Sequence, residues 1–237
     1  MPNNSTLIII PTYNEAESIG LLLSELLELP VDILIVDDGS SDSTVAIAQE
    51  LDQSESRIHF ILRTSKIGLG SAYRAGYAWA TEQKYNRMVQ MDADGSHQVS
   101  DLKKMLEFSD SHPVTELIIG SRWIKGGVIE NWSKHREVLS RIANLYTRAL
   151  LRLHINDVTS GFRIYQSSLL KRMHVQEVRS EGYSFQIEMS IAARKAGASI
   201  AEFPITFKER EQGTSKMSGR IIIEAIARVT WWGIKRS

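Results

Sequence analysis

Three times before residue 98, a short apolar run leads straight into a polar loop that carries carboxylates. Leu7–Ile10 runs into Pro11–Glu15, Ile33–Val36 into Asp37–Ser41, and Met88–Met91 into Asp92–His97. Runs this short and this apolar read as buried strands. Between them the period becomes helical. Ile19, Leu22, Leu23, Leu26 and Leu27 share one helical face that Pro30 closes, Asp42 or Ser43 can cap a helix from Thr44 to about Leu51, and another helix is expected over about Gly70–Gln83. Arg57–Leu62 and Leu117–Gly120 add two strands, and Ser100 can cap a helix to about Ser109. Such alternation requires right-handed crossovers, hence an α/β fold with a mostly parallel sheet flanked by helices. Sheets of this kind bind ligands beyond the carboxyl ends of their strands, where the carboxylate-bearing loops fall.

The second half is less regular. Glu137–Leu153 has helical spacing, Val158–Tyr165 reads as a strand, Phe185–Lys195 as a helix, and Ser199–Phe207 as a strand whose Pro204 marks an edge or bulge. Glu209–Gly219 reads as a mobile polar loop. Arg220–Ile234 is an amphipathic helix with Trp231 and Trp232, suited equally to a membrane interface or to packing on the domain core. No Pro/Ser/Gly-rich linker divides the chain, so one domain is expected over 1–219, followed by this C-terminal helix within 220–237. The 28 basic and 28 acidic residues cancel, which argues against a general nucleic-acid binder. Without cysteine, disulfides, thiolate zinc sites and cysteine nucleophiles are excluded. No apolar stretch approaches the ~20 residues that span a bilayer, and Leu7–Ile10 is too short for a signal-peptide core.

Asp92 and Asp94 leave a strand end two residues apart, so both carboxylates can face one divalent cation; a solvated acidic turn is the alternative. Asp37, Asp38 and Asp42 offer acceptors for a ribose or base, or caps for the next helix. Tyr13 could stack on a base and Glu15 could accept a hydrogen bond. Arg122, Arg136, Arg163, Arg210 and Lys216 are candidate phosphate ligands. Lys216, in the expected mobile loop, could close over a diphosphate. His97, beside the acidic pair, could support it. Gly68 and Gly70 are too closely spaced for a dinucleotide fingerprint and lack a strand directly before them, which disfavours an NAD-type oxidoreductase.

Taken in order, Pro11-Thr12-Tyr13-Asn14-Glu15, Val36-Asp37-Asp38-Gly39-Ser40, Lys66-Ile67-Gly68-Leu69-Gly70, Asp92-Ala93-Asp94-Gly95-Ser96-His97 and Gly120-Ser121-Arg122 resemble a family 2 glycosyltransferase of the GT-A, Rossmann-like fold. Thr159-Ser160-Gly161-Phe162-Arg163 and Arg210…Gly213-Thr214-Ser215-Lys216 narrow the likeness to the polyprenol- and dolichol-phosphate mannose synthases. The resemblance spans about residues 6–220. It implies inverting transfer of mannose from GDP-mannose to a polyprenyl phosphate, dependent on Mg²⁺ or Mn²⁺. It places Pro11, Tyr13, Glu15, Val36 and Asp38 on the guanosine, and Asp92 and Asp94 on the cation and donor diphosphate, with Ala93 between them. Ser96 stands where relatives often carry a glutamine metal ligand. Arg122 and Arg136, with Ser140, would take the lipid phosphate, and Arg210 and Lys216 the donor phosphates. Asp94, Arg122 and Arg136 are therefore the expected catalytic set.

Asp157-Val158-Thr159 departs from the family's commoner Asp-Pro-Thr, and the Gln-x-x-Arg-Trp motif of processive synthases is absent, which implies a single transfer. The implied setting is peripheral, on the cytoplasmic face of a membrane, with room for a membrane-spanning partner subunit. UDP-glucose or another donor, or a non-catalytic nucleotide-sugar-binding subunit, are the rival readings.

Overall fold

The computed structural model describes residues 5–209 and 219–235; at 53–55 and 219–224 it describes the backbone alone. The alternating half folds as its periodicity dictates. Strands β1 (Thr6–Thr12), β2 (Asp32–Asp37), β3 (Ile58–Leu62) and β4 (Arg87–Gln90) alternate with helices α1 (Ala16–Leu27), α2 (Thr44–Glu55) and α3 (Leu69–Glu82). These four strands pair in parallel, in the order β3-β2-β1-β4. Leu7–Ile10 and Ile33–Val36 are fully buried, so both faces of the sheet are covered. α4 (Val99–Ser111) begins one residue before Ser100, which lies inside its first turn; Gln98 occupies the cap position.

Beyond β4 the sheet continues with β7 (Arg163–Gln166), β5 (Leu117–Ser121) and β8 (Ile200–Pro204). β7 runs antiparallel to both β4 and β5, while β5 and β8 are parallel. The strand expected from Val158 starts only at Arg163. The preceding backbone spends its hydrogen bonds on side chains: Val158 N–H donates to Asn144 Oδ1 at 2.8 Å, and Val158 O accepts from Arg163 Nη2 at 2.7 Å. The run Ser199–Phe207 divides between two sheets. Pro204 ends β8 at the sheet edge, and β9 (Thr206–Lys208) pairs in parallel with β6 (Val128–Glu130).

Helices α5 (Lys134–Leu151), α6 (Ser167–Arg172), α7 (Gly182–Lys195) and α8 (Gly219–Ile234) complete the fold. α8 packs on α5 and α7, with Val229 buried in the core. It approaches α5 so closely that a Cβ on Gly233 would stand 2.6 Å from Leu150 Cγ. Its Ile226, Trp231 and Ile234 remain exposed. The helix is therefore docked on the domain by one face and presents the other. Among the described residues no helix is long and apolar enough to cross a membrane.

Candidate active site

The sheet order lays the loops out in a row along one edge. β1, β2, β4 and β5 end there, and antiparallel β7 begins there. From β2 to β5 the row carries Asp38, then Pro11–Glu15, then Asp92–Asp94, then Asp157–Gly161, then Arg122. Neighbouring strands stand about 4.8 Å apart, so this order is also an order in space.

A groove of about 320 Å³ occupies the first part of the row. Pro11, Tyr13, Glu15, Asp38, Lys66, Gly68 and Leu69 line one end, and Asp92, Ala93, Asp94, Thr159, Gly161, Tyr183 and Gln186 the other. Lys66 Nζ lies 4.0 Å from the centroid of the Tyr13 ring. Asp38 is ion-paired with Arg63 and accepts from the amides of Ile67 and Gly68 at 3.2 and 3.3 Å. Its neighbour Asp37 has a different task. It accepts from Thr12 Oγ1 at 2.8 Å and from the amides of Gly39 and Ser40 at 3.0 and 2.8 Å, fixing the turn. Asp42 is a double cap, accepting from Thr44 N–H at 3.0 Å and from Ala16 N–H at 3.1 Å. Burial pushes its carboxyl upward, but the hydrogen bonds from Thr44 and Ala16 outweigh this and hold it below the ordinary carboxylate range. Val36 is fully buried in the core between β1 and β3 and contributes no side chain to the groove.

At the middle of the row, Asp94 Oδ1 accepts from Ser96 N–H at 3.1 Å, and Tyr73 OH lies 3.4 Å from Asp92 Oδ1. Ser96 Oγ is buried without a hydrogen-bond partner among the described residues. Two carboxylates and an orphaned hydroxyl in one cavity form an oxygen donor set suited to Mg²⁺ or Mn²⁺. Among the described residues no three His, Cys, Asp or Glu side chains gather as a metal cage. His97 supports the loop and is no part of that donor set. Its Nδ1 accepts from Asp92 N–H at 3.1 Å, and its ring stacks on Phe162 at 4.7 Å. Burial lowers its pKa despite Asp92 and Asp94 nearby, so the ring is neutral at neutral pH.

The far part of the row holds a second, smaller cavity of about 90 Å³, lined by Asp92, Asp94, Ser96, Arg122, Arg136, Tyr183, Phe207 and Glu209 among others. The two cavities thus share the acidic pair. Arg122 is nine-tenths buried and forked onto Asp157, Nε to Oδ2 and Nη2 to Oδ1 both at 2.7 Å, while Nη2 also donates to Thr159 Oγ1 at 3.0 Å. Burial disfavours its charge, yet Asp157 overcomes this and raises its pKa. Among the described residues these bonds use Nε and Nη2 and leave Nη1 for a ligand. Arg136, in the first turn of α5, pairs with Glu209 and lies 4.2 Å from the Trp132 ring centroid. Arg163, grouped above with the loop arginines, is fully buried in β7, donating to Ser160 O, Val158 O, Tyr165 OH and Ser190 Oγ. It is the spine of the 157–162 turn and lines neither of the two cavities. Arg210 and Lys216 lie outside the described residues.

Sequence reasoning missed Asp157, Thr159, Gly161, Tyr183, Gln186 and Glu209 as lining or supporting residues. The first three sit inside segments already singled out, and their polar and glycine pattern before a strand was the available signal. Tyr183 and Gln186 fall at the start of an ordinary helix and gave none.

The family model described as Glycosyl transferase family 2 matches residues 7–173. The chain is 46% identical to the polyprenol monophosphomannose synthase of Mycolicibacterium smegmatis, over 99% of this chain and 89% of that one. It is 43% identical to the undecaprenyl-phosphate mannosyltransferase of Micrococcus luteus, over 96% and 93% respectively. A solved structure of glucosyl-3-phosphoglycerate synthase from Mycobacterium tuberculosis, in complex with Mn²⁺, UDP-glucose and phosphoglyceric acid, superimposes with a TM-score of 0.70 at 15% identity, covering 97% of this chain and 80% of that one. At that identity the likeness is one of fold.

Proposed function

The chain belongs to glycosyl transferase family 2, and on that premise we propose that it transfers mannose from GDP-mannose to the phosphate of a polyprenol, with inversion, giving a polyprenyl β-mannosyl phosphate and GDP. The observation that carries this reading is the meeting of two cavities at Asp92 and Asp94. One is a groove of about 320 Å³ that runs from Tyr13 and Asp38 to the acidic pair, the other a small pocket with Arg122 and Arg136 on its walls. The two curated relatives are named for the same acceptor class and the same sugar.

Tyr13, Glu15, Asp38 and Lys66 take the nucleoside end. Asp92 and Asp94, with Ser96 at the limit of its reach, hold a divalent cation, Mg²⁺ or Mn²⁺. When bound, that cation offsets the charge developing on the departing diphosphate. Arg210 and Lys216 are assigned to the same diphosphate by resemblance alone. Arg122, its orientation locked by Asp157, offers Nη1 to the acceptor phosphate, and Arg136 offers its guanidinium beside it. An acceptor phosphate monoester is already anionic at neutral pH, so no general base is required. One of its oxygens attacks the anomeric carbon as the bond to the β-phosphate of GDP breaks and the electron pair leaves with GDP. The chain's own work is positioning and charge management.

The acceptor must be met at a bilayer. Val138, Ile142 and Leu145 on the outer face of α5 are 54, 57 and 65% exposed, and Leu139 and Tyr146 flank them. Tyr146 OH meets Thr230 Oγ1 at 2.7 Å, which joins this apolar stripe to the exposed face of α8. The stripe starts within one turn of Arg136, so a membrane lying on it would deliver a lipid phosphate to the small pocket. These faces support peripheral attachment to a membrane, and the cytoplasmic leaflet is the side we assign to it.

Transfer of label from GDP-[¹⁴C]mannose into an organic-extractable, mild-acid-labile product, with purified protein, a short polyprenyl phosphate and Mg²⁺ or Mn²⁺, is the test. Metal-dependent product is the expected result. Activity with UDP-glucose in place of GDP-mannose would overturn the donor assignment.

A further inference from the structure

Gln186 lies past the residues matched by the family model, on the second turn of α7. It is 3% exposed, yet it lines the donor groove. Its Oε1 is buried with no hydrogen-bond partner among the described residues. A native core does not leave such an acceptor orphaned without reason. The nearest opening is made by Gly161. A Cβ there would stand 3.4 Å from Gln186 Nε2 and 3.7 Å from each carboxylate oxygen of Asp92. The missing side chain therefore keeps open the space between the amide and the acidic pair.

The position of Gln186 is held firmly. Glu181, just before α7, accepts from the amides of Gly70 and Ser71 at 2.7 and 3.3 Å and pairs with Arg74 at 2.9 Å, tying α7 to the start of α3. Phe185 stacks on Tyr73 with ring centroids 5.9 Å apart, and the hydroxyl of Tyr73 reaches Asp92. Gln186, Gly161 and Asp92 are thus parts of one rigid wall. Gln186 and Gly161 line the same groove as Tyr13 and Lys66 and stand directly beside Asp92, one of the carboxylates assigned to the donor diphosphate.

We propose that Gln186 is the specificity-determining residue for the donor sugar, its carboxamide reading hydroxyls of the transferred hexose in the space that Gly161 leaves open. This rests on the reading of the groove as the donor site. A pyranose hydroxyl is both donor and acceptor, and a carboxamide is the neutral side chain that complements both. A site built to bond a hydroxyl rejects an epimer that misplaces it far more strongly than an apolar pocket can.

The test measures kcat/KM for mannosyl and glucosyl donors, on both GDP and UDP, for the native protein, Gln186→Ala, Gln186→Glu and Gly161→Ala, together with inhibition by GDP and a thermal melt. Gly161 has no left-handed φ, so its alanine variant is compatible with the backbone and probes the same space without altering the amide. The native preference between the epimers is expected to fall at least tenfold in Gln186→Ala and in Gly161→Ala, with GDP inhibition within about threefold of native. An unchanged preference in folded Gln186→Glu and Gly161→Ala overturns the proposal. The native protein's choice of nucleotide is read separately, so a donor other than GDP-mannose corrects the functional reading and leaves the test of Gln186 standing.

Discussion

The two walls of this site, proposed above as its donor and acceptor sides, are built on different principles. On the donor side, loops are fixed by many separate bonds from side chains to backbone amides. Asp37 holds the amides of Gly39 and Ser40, Asp42 those of Ala16 and Thr44, Asn14 that of Ser41, and Asp38 those of Ile67 and Gly68. On the acceptor side, one buried chain of charge does the same job. Glu202 accepts from the amides of Asn156 and Asp157, and Asp157 grips Arg122 from both its backbone and its guanidinium. Distributed caps contribute about 1 kcal/mol each and fail singly. A buried ion pair fails as a unit, because removing one partner strands a charge out of water. The capped loops of the donor side should therefore tolerate single losses that the acceptor side does not, the Asp38–Arg63 ion pair of the donor side excepted.

The largest effect belongs to neither wall but to their junction. Asp94→Ala is expected to lower transfer by about a thousandfold or more, since it removes a carboxylate bordering both cavities. The native melting temperature should be retained without ligand. Near-normal turnover in the label-transfer assay would remove the metal assignment. Next comes the acceptor wall. Asp157→Ala leaves Arg122 buried and unpaired and is expected to cost about 3–5 kcal/mol of stability along with nearly all transfer. Urea unfolding measures it, and a loss under 1 kcal/mol would mean that the pair is as dispensable as a surface one.

The same contrast explains what could be read in advance. Leu7–Ile10, Ile33–Val36 and the face Ile19/Leu22/Leu23/Leu26 were legible because each strand or helix buries a run that is local in sequence. With them came Tyr13, Glu15, Asp38, Asp92 and Asp94 at the strand ends. The acceptor half was not legible in this way. β7 inserts antiparallel between β4 and β5, and its approach segment is shaped by Arg163 and Asn144 rather than by a period. The run Ser199–Phe207 serves two sheets, and nothing local marks the change beyond Pro204. Asp157 was noticed for its neighbour Val158, yet its partner lies 35 positions away, a distance that no window of sequence spans. Val36 is placed on the guanosine by resemblance alone, and its side chain is buried in the core.

A smaller effect should separate the two walls kinetically. Arg136 sits on the acceptor side only, absent from the lining of the larger groove. Its guanidinium is paired with half-buried Glu209 and not with a fully buried carboxylate, so its loss should not unfold the wall. Arg136→Ala is expected to raise KM for the polyprenyl phosphate about 10- to 100-fold, while KM for the nucleotide sugar stays within about twofold. Equal changes in both would mean that the cavities are one site without division.

The smallest effect is on the donor wall and tests its redundancy. Asp42 caps α1 and α2 together, so Asp42→Ala removes three bonds at once, yet Asn14, Asp37 and Thr44 still tie the same loops. The expected cost is about 1 kcal/mol, a fall of about 2–4 °C in melting temperature for a domain of this size, with transfer nearly unchanged. The carboxyl of Asp42 is held below its unfolded value. Its stabilisation is therefore complete above the unfolded pKa, about 3.9, and is lost as pH falls through the lower folded value. Native and variant melting temperatures should differ at pH 7 and converge as the pH is lowered below about 3.9. A difference that persists undiminished in acid would assign the effect to lost packing instead of the charged cap. A fall in transfer as steep as that of Asp157→Ala would show that the donor wall is no more redundant than the acceptor wall.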